Sequence, residues 1–184
     1  MIKPTIYMDT VIARDWTHNR NDCAREILNQ IREKKLKSFI SVFGLMELVD
    51  IEQEDLFLNR KVHIEKEDLD TIFSKRKRRD LKREDLDKSG KYLEDFLKNY
   101  KDVITPVDLN QDGWNLALTL GAESNLNASD VIHLASAWQN QCNIIITRDE
   151  FFIKEATQIL KKEKVWKNLK ILNPTKALAL LKKL

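Results

Sequence analysis

Glycine and proline are scarce in this chain, at four and three residues in 184, so long and seldom-kinked helices are expected. The same scarcity removes whole chemistries. Gly44, Gly90, Gly113 and Gly121 stand alone, and neither a phosphate-cradling P-loop nor a dinucleotide-binding glycine fingerprint can be assembled from them. No Gly-x-Ser-x-Gly elbow is present for acyl transfer. A phosphatase-type Asp-x-Asp strand end fails because position 11 is Val11. Cysteine is limited to Cys23 and Cys142, with no Cys-x-x-Cys and no Cys/His cluster to suggest zinc. Both are expected to be buried, reduced thiols, as suits a reducing cytosol. No apolar run approaches the roughly 20 residues of a membrane span. The N-terminus passes straight into an apolar strand with no signal-peptide pattern. A cytoplasmic protein is the expectation.

What the chain has is charge. Hydrophobic residues make up 42% and charged residues 33%, a soluble globular balance rather than a disordered one. The length suits one domain, 1–184, able to bury a core without disulfides. A net charge of +3 is too small by itself to imply nucleic acid, so the distribution matters more. Residues 53–101 are dominated by Lys, Arg, Glu and Asp, with isolated apolar residues at helical spacing. They read as a charged helical insertion of two or three amphipathic helices, one ending before Ser89-Gly90 and the next covering Lys91 to Tyr100. Inside it lies the densest basic run: Lys75, Arg76, Lys77, Arg78, Arg79, Lys82 and Arg83. Such a run can bind RNA phosphates without reading bases, because no aromatic residues are interleaved. It can equally be a solvated helix face, with Asp80, Glu84 and Asp85 nearby.

Elsewhere short apolar strands alternate with helices. Strands are expected at Pro4–Met8, Ser38–Phe43, Val103–Val107, Asn143–Thr147 and Leu169–Leu172, with Gly44 breaking the second. Helices are expected from Asn21 or Asp22 to Lys35, from Leu45, over Asp112–Glu123, Ser129–Trp138 and Glu150–Lys162, and from Pro174, a residue favoured at the first helical position. This alternation argues for an α/β fold with a parallel sheet covered on both faces, whose ligands gather beyond the carboxyl ends of the strands.

Four acids occupy that edge. Asp9 ends the first strand, and Asp149 lies two residues past the Asn143–Thr147 run. Glu47 and Asp130 sit in the first turns of helices, which face the same edge in a layered fold. Each has a structural explanation on its own: a favourable interaction with the helix dipole, a helix cap, or a turn. Together they cannot all ionise at close range without a cation. Carboxylates and waters suit Mg²⁺ or Mn²⁺, and such an ion can activate water against a phosphodiester.

At these residues the chain resembles the PIN-domain family, over nearly its whole length. Four segments carry the resemblance: Ile6-Tyr7-Met8-Asp9-Thr10; Ile40-Ser41, a five-residue spacer, then Glu47-Leu48; Leu126 through Ala137 around Asp130; and Ile144 through Phe152, a Thr-x-Asp-x-x-Phe pattern. The resemblance implies a three-layer α/β/α sandwich with a central parallel sheet of about five strands. It implies Mg²⁺- or Mn²⁺-dependent endoribonuclease activity, with Asp9, Glu47, Asp130 and Asp149 as metal ligands and catalytic residues. Thr147 would orient Asp149 or the attacking water, with Thr10 and Ser41 as helpers. It also implies a homodimer and, as in many small members, a toxin paired with an antitoxin.

His133, one helical turn after Asp130, can be a general acid or a histidine supporting the acids from behind. Trp138 fits the buried face of the same helix. Ala177, Leu178, Leu181 and Leu184 form an apolar stripe that suits core packing or a dimer contact. Two alternatives to RNA cleavage stand: a non-catalytic RNA-binding or protein-interaction module on the same fold, and a nuclease for single-stranded or flap DNA.

Overall fold

Five short strands, β1 (Ile6–Met8), β2 (Ser38–Ser41), β3 (Thr105–Val107), β4 (Ile144–Ile146) and β5 (Lys170–Leu172), pair in parallel in the order β3-β2-β1-β4-β5. The computed structural model describes residues 3–76, 79–162, 166 and 168–184. From β1 the chain moves outward to β2 and β3 on one side, then returns to the other side for β4 and β5. The reversal falls between β1 and β4, where Tyr7 is in register with Ile145 and Met8 with Ile146. Above the carboxyl ends of such a pair the connections diverge and leave a crevice.

The helices around the sheet are α1 (Thr10–Thr17), α2 (Asp22–Lys34), α6 (Gln111–Glu123), α7 (Ala128–Gln139), α8 (Glu150–Lys162) and α9 (Pro174–Leu181). Successive strand residues point to opposite faces. Tyr7, Ile145 and Ile171 share one core with Leu120, Leu134, Ala135, Phe152 and Ala156 of α6, α7 and α8. Ile6, Met8, Ile144 and Ile146 are also buried, and α9 packs on β4 and β5 with α2 against it and α1 against α2. A sheet covered on both faces needs apolar residues at every position, hence the unbroken Ile-Ile-Ile of β4. This is the α/β fold with five parallel strands that the alternation led us to expect.

The chain divides into two compact units, 1–44 with 100–184, and 45–99. The second holds most of α3 (Val42–Asn59), a π-helical turn at Arg60–Ile64, α4 (Leu69–Arg76) and α5 (Arg83–Tyr100) up to Asn99. Its apolar core includes Leu48, Phe57, Ile72 and Phe96. Two cations are buried in it as well. Arg60 meets Asp85 at 3.2 Å and Glu65 at 2.8 Å, while Lys61 meets Glu65 at 2.5 Å and Glu67 at 2.9 Å. A buried cation is tolerable only when paired in this way. The bonds from Lys61, and then from Arg60, hold the Glu65 carboxyl down at about 2.

Several local expectations are corrected. The strand read as Ser38–Phe43 stops at Ser41, whose hydroxyl accepts the Gly44 N–H at 2.9 Å, and the helix begins at Val42. Gly44 therefore sits inside the first turn of α3 instead of breaking a strand, and Glu47 falls in the second turn. α1 was not expected, because its buried face carries Asp15 and its sequence carries Arg14, which mask the apolar spacing. Ser89-Gly90 does not end a helix, and α5 runs through it with Ser89 buried and its hydroxyl donating to the Leu86 carbonyl at 3.0 Å. Cys142 is buried and burial pushes its thiol up to about 12, but Cys23 is only half-buried. Trp138 is half-buried, with its ring 6.1 Å from that of Trp166. In α9, Ala177 and Leu181 are core residues and Leu184 is exposed. Among the described residues, no helix is long and apolar enough to cross a membrane.

Candidate active site

Asp9 is the residue after β1 and the N-cap of α1; its backbone N–H donates to the Ile146 carbonyl at 3.1 Å, which ties it to the neighbouring β4. Its side chain makes no cap bond and is almost fully buried. Thr147, the residue after β4, donates its hydroxyl to Asp9 Oδ2 at 2.5 Å and accepts the Asp149 N–H at 3.0 Å. Thr147 thus fixes the Asp9 carboxylate and the Asp149 backbone. The Asp149 carboxylate is held differently: Oδ1 accepts the Phe152 N–H at 2.8 Å and caps α8.

Asp130 comes from the first turn of α7. The Asn127 side chain caps this helix, accepting the Asp130 N–H at 2.8 Å. Asp130 is 6% exposed, and its Oδ2 is buried with no hydrogen-bond partner. Burial first, then the Asp149 and Asp9 carboxylates, push its carboxyl up to about 6, against the lowering influence of a backbone bond at Asn127 and of the nearby His133 ring. A buried carboxylate oxygen normally has a partner, and this one has like charges for neighbours instead.

Three of the four acids therefore share one electrostatic neighbourhood above β1 and β4. Glu47 lies on α3 in the second unit. Among the described residues, no three His, Cys, Asp or Glu side chains are drawn together tightly enough to hold a metal ion as they stand. The donor chemistry nonetheless fits a hard divalent cation: all the donors are carboxylate oxygens, one is buried and unbonded, and no Lys or Arg pairs with Asp9, Asp130 or Asp149 among the described residues.

Behind the acids is a buried polar layer. His133 Nε2 lies 3.5 Å from Asp9 Oδ1, and His133 Nδ1 lies 2.8 Å from the Tyr7 hydroxyl. Gly44 permits the approach of a third element. A Cβ there would meet Thr10 Oγ1 at 3.0 Å, Ser41 Oγ at 3.2 Å and His133 Cε1 at 3.3 Å. Thr10 in turn donates to the Gly44 carbonyl at 3.2 Å. Of this layer, Tyr7 escaped the sequence reading. The signal was a single hydroxyl-bearing residue in the buried strand β1, two positions before Asp9 and therefore on the same face. Asp15, also missed, is buried in α1 and pairs with Arg148 at 3.0 Å, which fastens the loop between Thr147 and Asp149.

The basic run is engaged within its own unit. Lys75 pairs with Glu67 at 2.9 Å, Lys82 with Glu65 at 3.8 Å and Arg83 with Asp87 at 3.0 Å; Arg76 pairs with Glu54, and Arg79 with Asp50. Lys77 and Arg78 lie outside the described residues.

No family model and no curated relative matches the chain. Solved structures do. The fold is similar to that of a chain in the crystal structure of VapBC2 from Rickettsia felis bound to a DNA fragment from their promoter, with a TM-score of 0.53 and 14% identity over 92% of this chain and 98% of that one. A chain of a toxin-antitoxin complex from Klebsiella pneumoniae aligns with a TM-score of 0.48 and 16% identity over 92% and 97% of the two chains. The first likeness establishes the fold, an α/β arrangement with the five-stranded parallel sheet that was expected.

Proposed function

We propose that the protein is a metal-dependent endoribonuclease whose Asp9, Asp130 and Asp149 are ligands of a Mg²⁺ or Mn²⁺ ion. The observation that carries this reading is the Asp130 carboxylate: buried, unbonded at Oδ2, and surrounded by carboxylates that raise its proton affinity. Such an arrangement destabilises the protein unless a cation completes it. When bound, an ion of this class activates a water and offsets charge on a phosphodiester. Thr147 contributes by holding Asp9 through its hydroxyl. Asp149 keeps its carboxylate at the edge of the crevice, anchored on the first turn of α8 by one oxygen with the other available.

RNA is the substrate in this reading, with the exposed Lys82 and Arg83 exchanging their surface pairs for phosphate contacts. Lys75, Arg76 and Arg79, whose side chains are less exposed than those of Lys82 and Arg83, contribute less. The likeness to the Rickettsia felis chain, which spans nearly all of both chains, supports a partner protein of antitoxin type; a cytoplasmic homodimer belongs to the same proposal.

Incubation of the protein with mixed RNAs and Mn²⁺, with and without a chelator, tests the reading. Cleavage is expected only with the metal, and is expected to vanish in Asp130→Asn. Cutting that survives the chelator, or a preference for single-stranded DNA over RNA, would replace it.

A further inference from the structure

Tyr7 stands in the middle strand of the sheet, on the face covered by α7, with its ring 5.8 Å from the ring of His133. It is fully buried, and its hydroxyl has two neighbours: the Ser41 N–H donates to it at 3.2 Å, and His133 Nδ1 lies 2.8 Å away. A backbone amide can only donate. The proton of a buried hydroxyl goes to an acceptor, and the acceptor here is His133 Nδ1. The ring proton of His133 is then on Nε2, and Nε2 faces Asp9 Oδ1 at 3.5 Å. The other Asp9 oxygen receives the Thr147 hydroxyl.

We infer that Tyr7 and His133 are positioning residues for Asp9. The Tyr7 hydroxyl selects the Nε2–H tautomer of His133, and that N–H holds Asp9 Oδ1 while Thr147 holds Oδ2. The sequence makes this economical. Residues 7 and 9 share a face of an extended segment, Asp9 keeping extended backbone angles of φ −71° and ψ 151°. Asp130 and His133 are one turn apart on α7, so one helix presents a carboxylate and the device that orients its neighbour. Thr147 bonds one Asp9 oxygen and His133 Nε2 faces the other, yet each oxygen keeps a lone pair. The 3.5 Å contact shortens when the site is completed, as such bonds commonly do. The functional consequence rests on reading Asp9 as a cation ligand; the tautomer does not.

Imidazole ¹⁵N NMR on the metal-free protein reads the tautomer directly. His133 protonated on Nε2, with Nδ1 as acceptor, is expected; the Nδ1–H form overturns the inference. Mn²⁺ titration without RNA reads the consequence. Tyr7→Phe keeps the packing and is expected to weaken Mn²⁺ binding about tenfold, the usual size of a loss behind a metal ligand. His133→Leu should match it, and His133→Gln, which can again offer an N–H to Asp9, should recover most of that loss. Equal losses in the Gln and Leu variants would show that packing alone is at stake and end the proposal. If the unaltered protein binds no Mn²⁺ and cuts no RNA, the nuclease reading fails separately, and the tautomer alone then upholds or overturns the role of His133.

Discussion

The acids beyond β1 and β4 keep different company from the carboxylates of the second unit. In the unit of 45–99, Glu65 and Glu67 each meet lysines, Asp85 meets Arg60, and Glu54 and Asp50 meet Arg76 and Arg79. In the other unit, Asp130 lies in the field of the Asp149 and Asp9 carboxylates, and the three have a histidine, hydroxyls and helix N–H groups for neighbours. Paired charges need no function to explain them, since pairing is what lets Arg60 and Lys61 be buried at all. A buried carboxylate beside two others is a local conflict, and conflicts of this kind gather where a ligand resolves them.

The sharpest break between the two regions is in activity. Asp130→Asn should lower metal-dependent RNA cleavage about a thousandfold, equivalent to about 4 kcal/mol of transition-state stabilisation. Glu67→Gln should leave the rate unchanged while lowering the melting temperature. Comparable rate losses in both variants would erase the distinction.

Next comes a pair of glycines. Gly44→Ala forces a methyl against Thr10, Ser41 and His133 and should cost about 1–3 kcal/mol in thermal or denaturant unfolding. Gly90→Ala, with nothing within 4 Å of its Cβ on exposed α5, should gain about 1 kcal/mol. Shifts of the same sign would mean that the polar layer beneath the acids is looser than its distances imply.

Acidification should also separate the units in the metal-free protein. The Asp130 carboxyl is raised in the fold to about 6, so its protonation favours the folded state, and stability rises as pH falls from above 6 toward 4. Glu65 is depressed to about 2, so its contribution is complete above about 4.5 and disappears as pH falls toward 2. Hydrogen exchange should accordingly show α7 better protected at pH 5 than at pH 7, and the Arg60–Ile64 turn losing protection only below about pH 4.5. A parallel loss in both regions would contradict this assignment.

The smallest effect concerns the basic run. Replacing Lys75 and Arg79 by alanine should change the log–log salt dependence of RNA binding by well under the roughly 0.7 expected for each freed phosphate contact on a single strand, because their charges are already matched. A full step per residue would restore the whole run to the RNA interface.

The strand ends and the acids beyond them were legible because parallel strands buried on both faces are apolar throughout, and an acid after such a run is conspicuous. Asp130 was legible through the capped start of its helix. α1 was not, because Asp15 is buried against Arg148, far away in sequence, and breaks the apolar periodicity. Gly44 and Gly90 were both read as breakers. One is required by three close side chains from distant segments, and the other is tolerated by a long helix anchored at Asp85, Ser89 and Phe96. The partners of the basic run could not be foreseen either, since Asp50 and Glu54 lie more than twenty residues upstream of Arg79 and Arg76.

Calorimetric titration of Mn²⁺ into the metal-free protein, alongside Asp130→Asn, bears most directly on whether these carboxylates exist to hold an ion. One bound ion per chain, lost in the variant, is the expected result. Binding equally strong in both proteins, or no binding in either, would contradict the account.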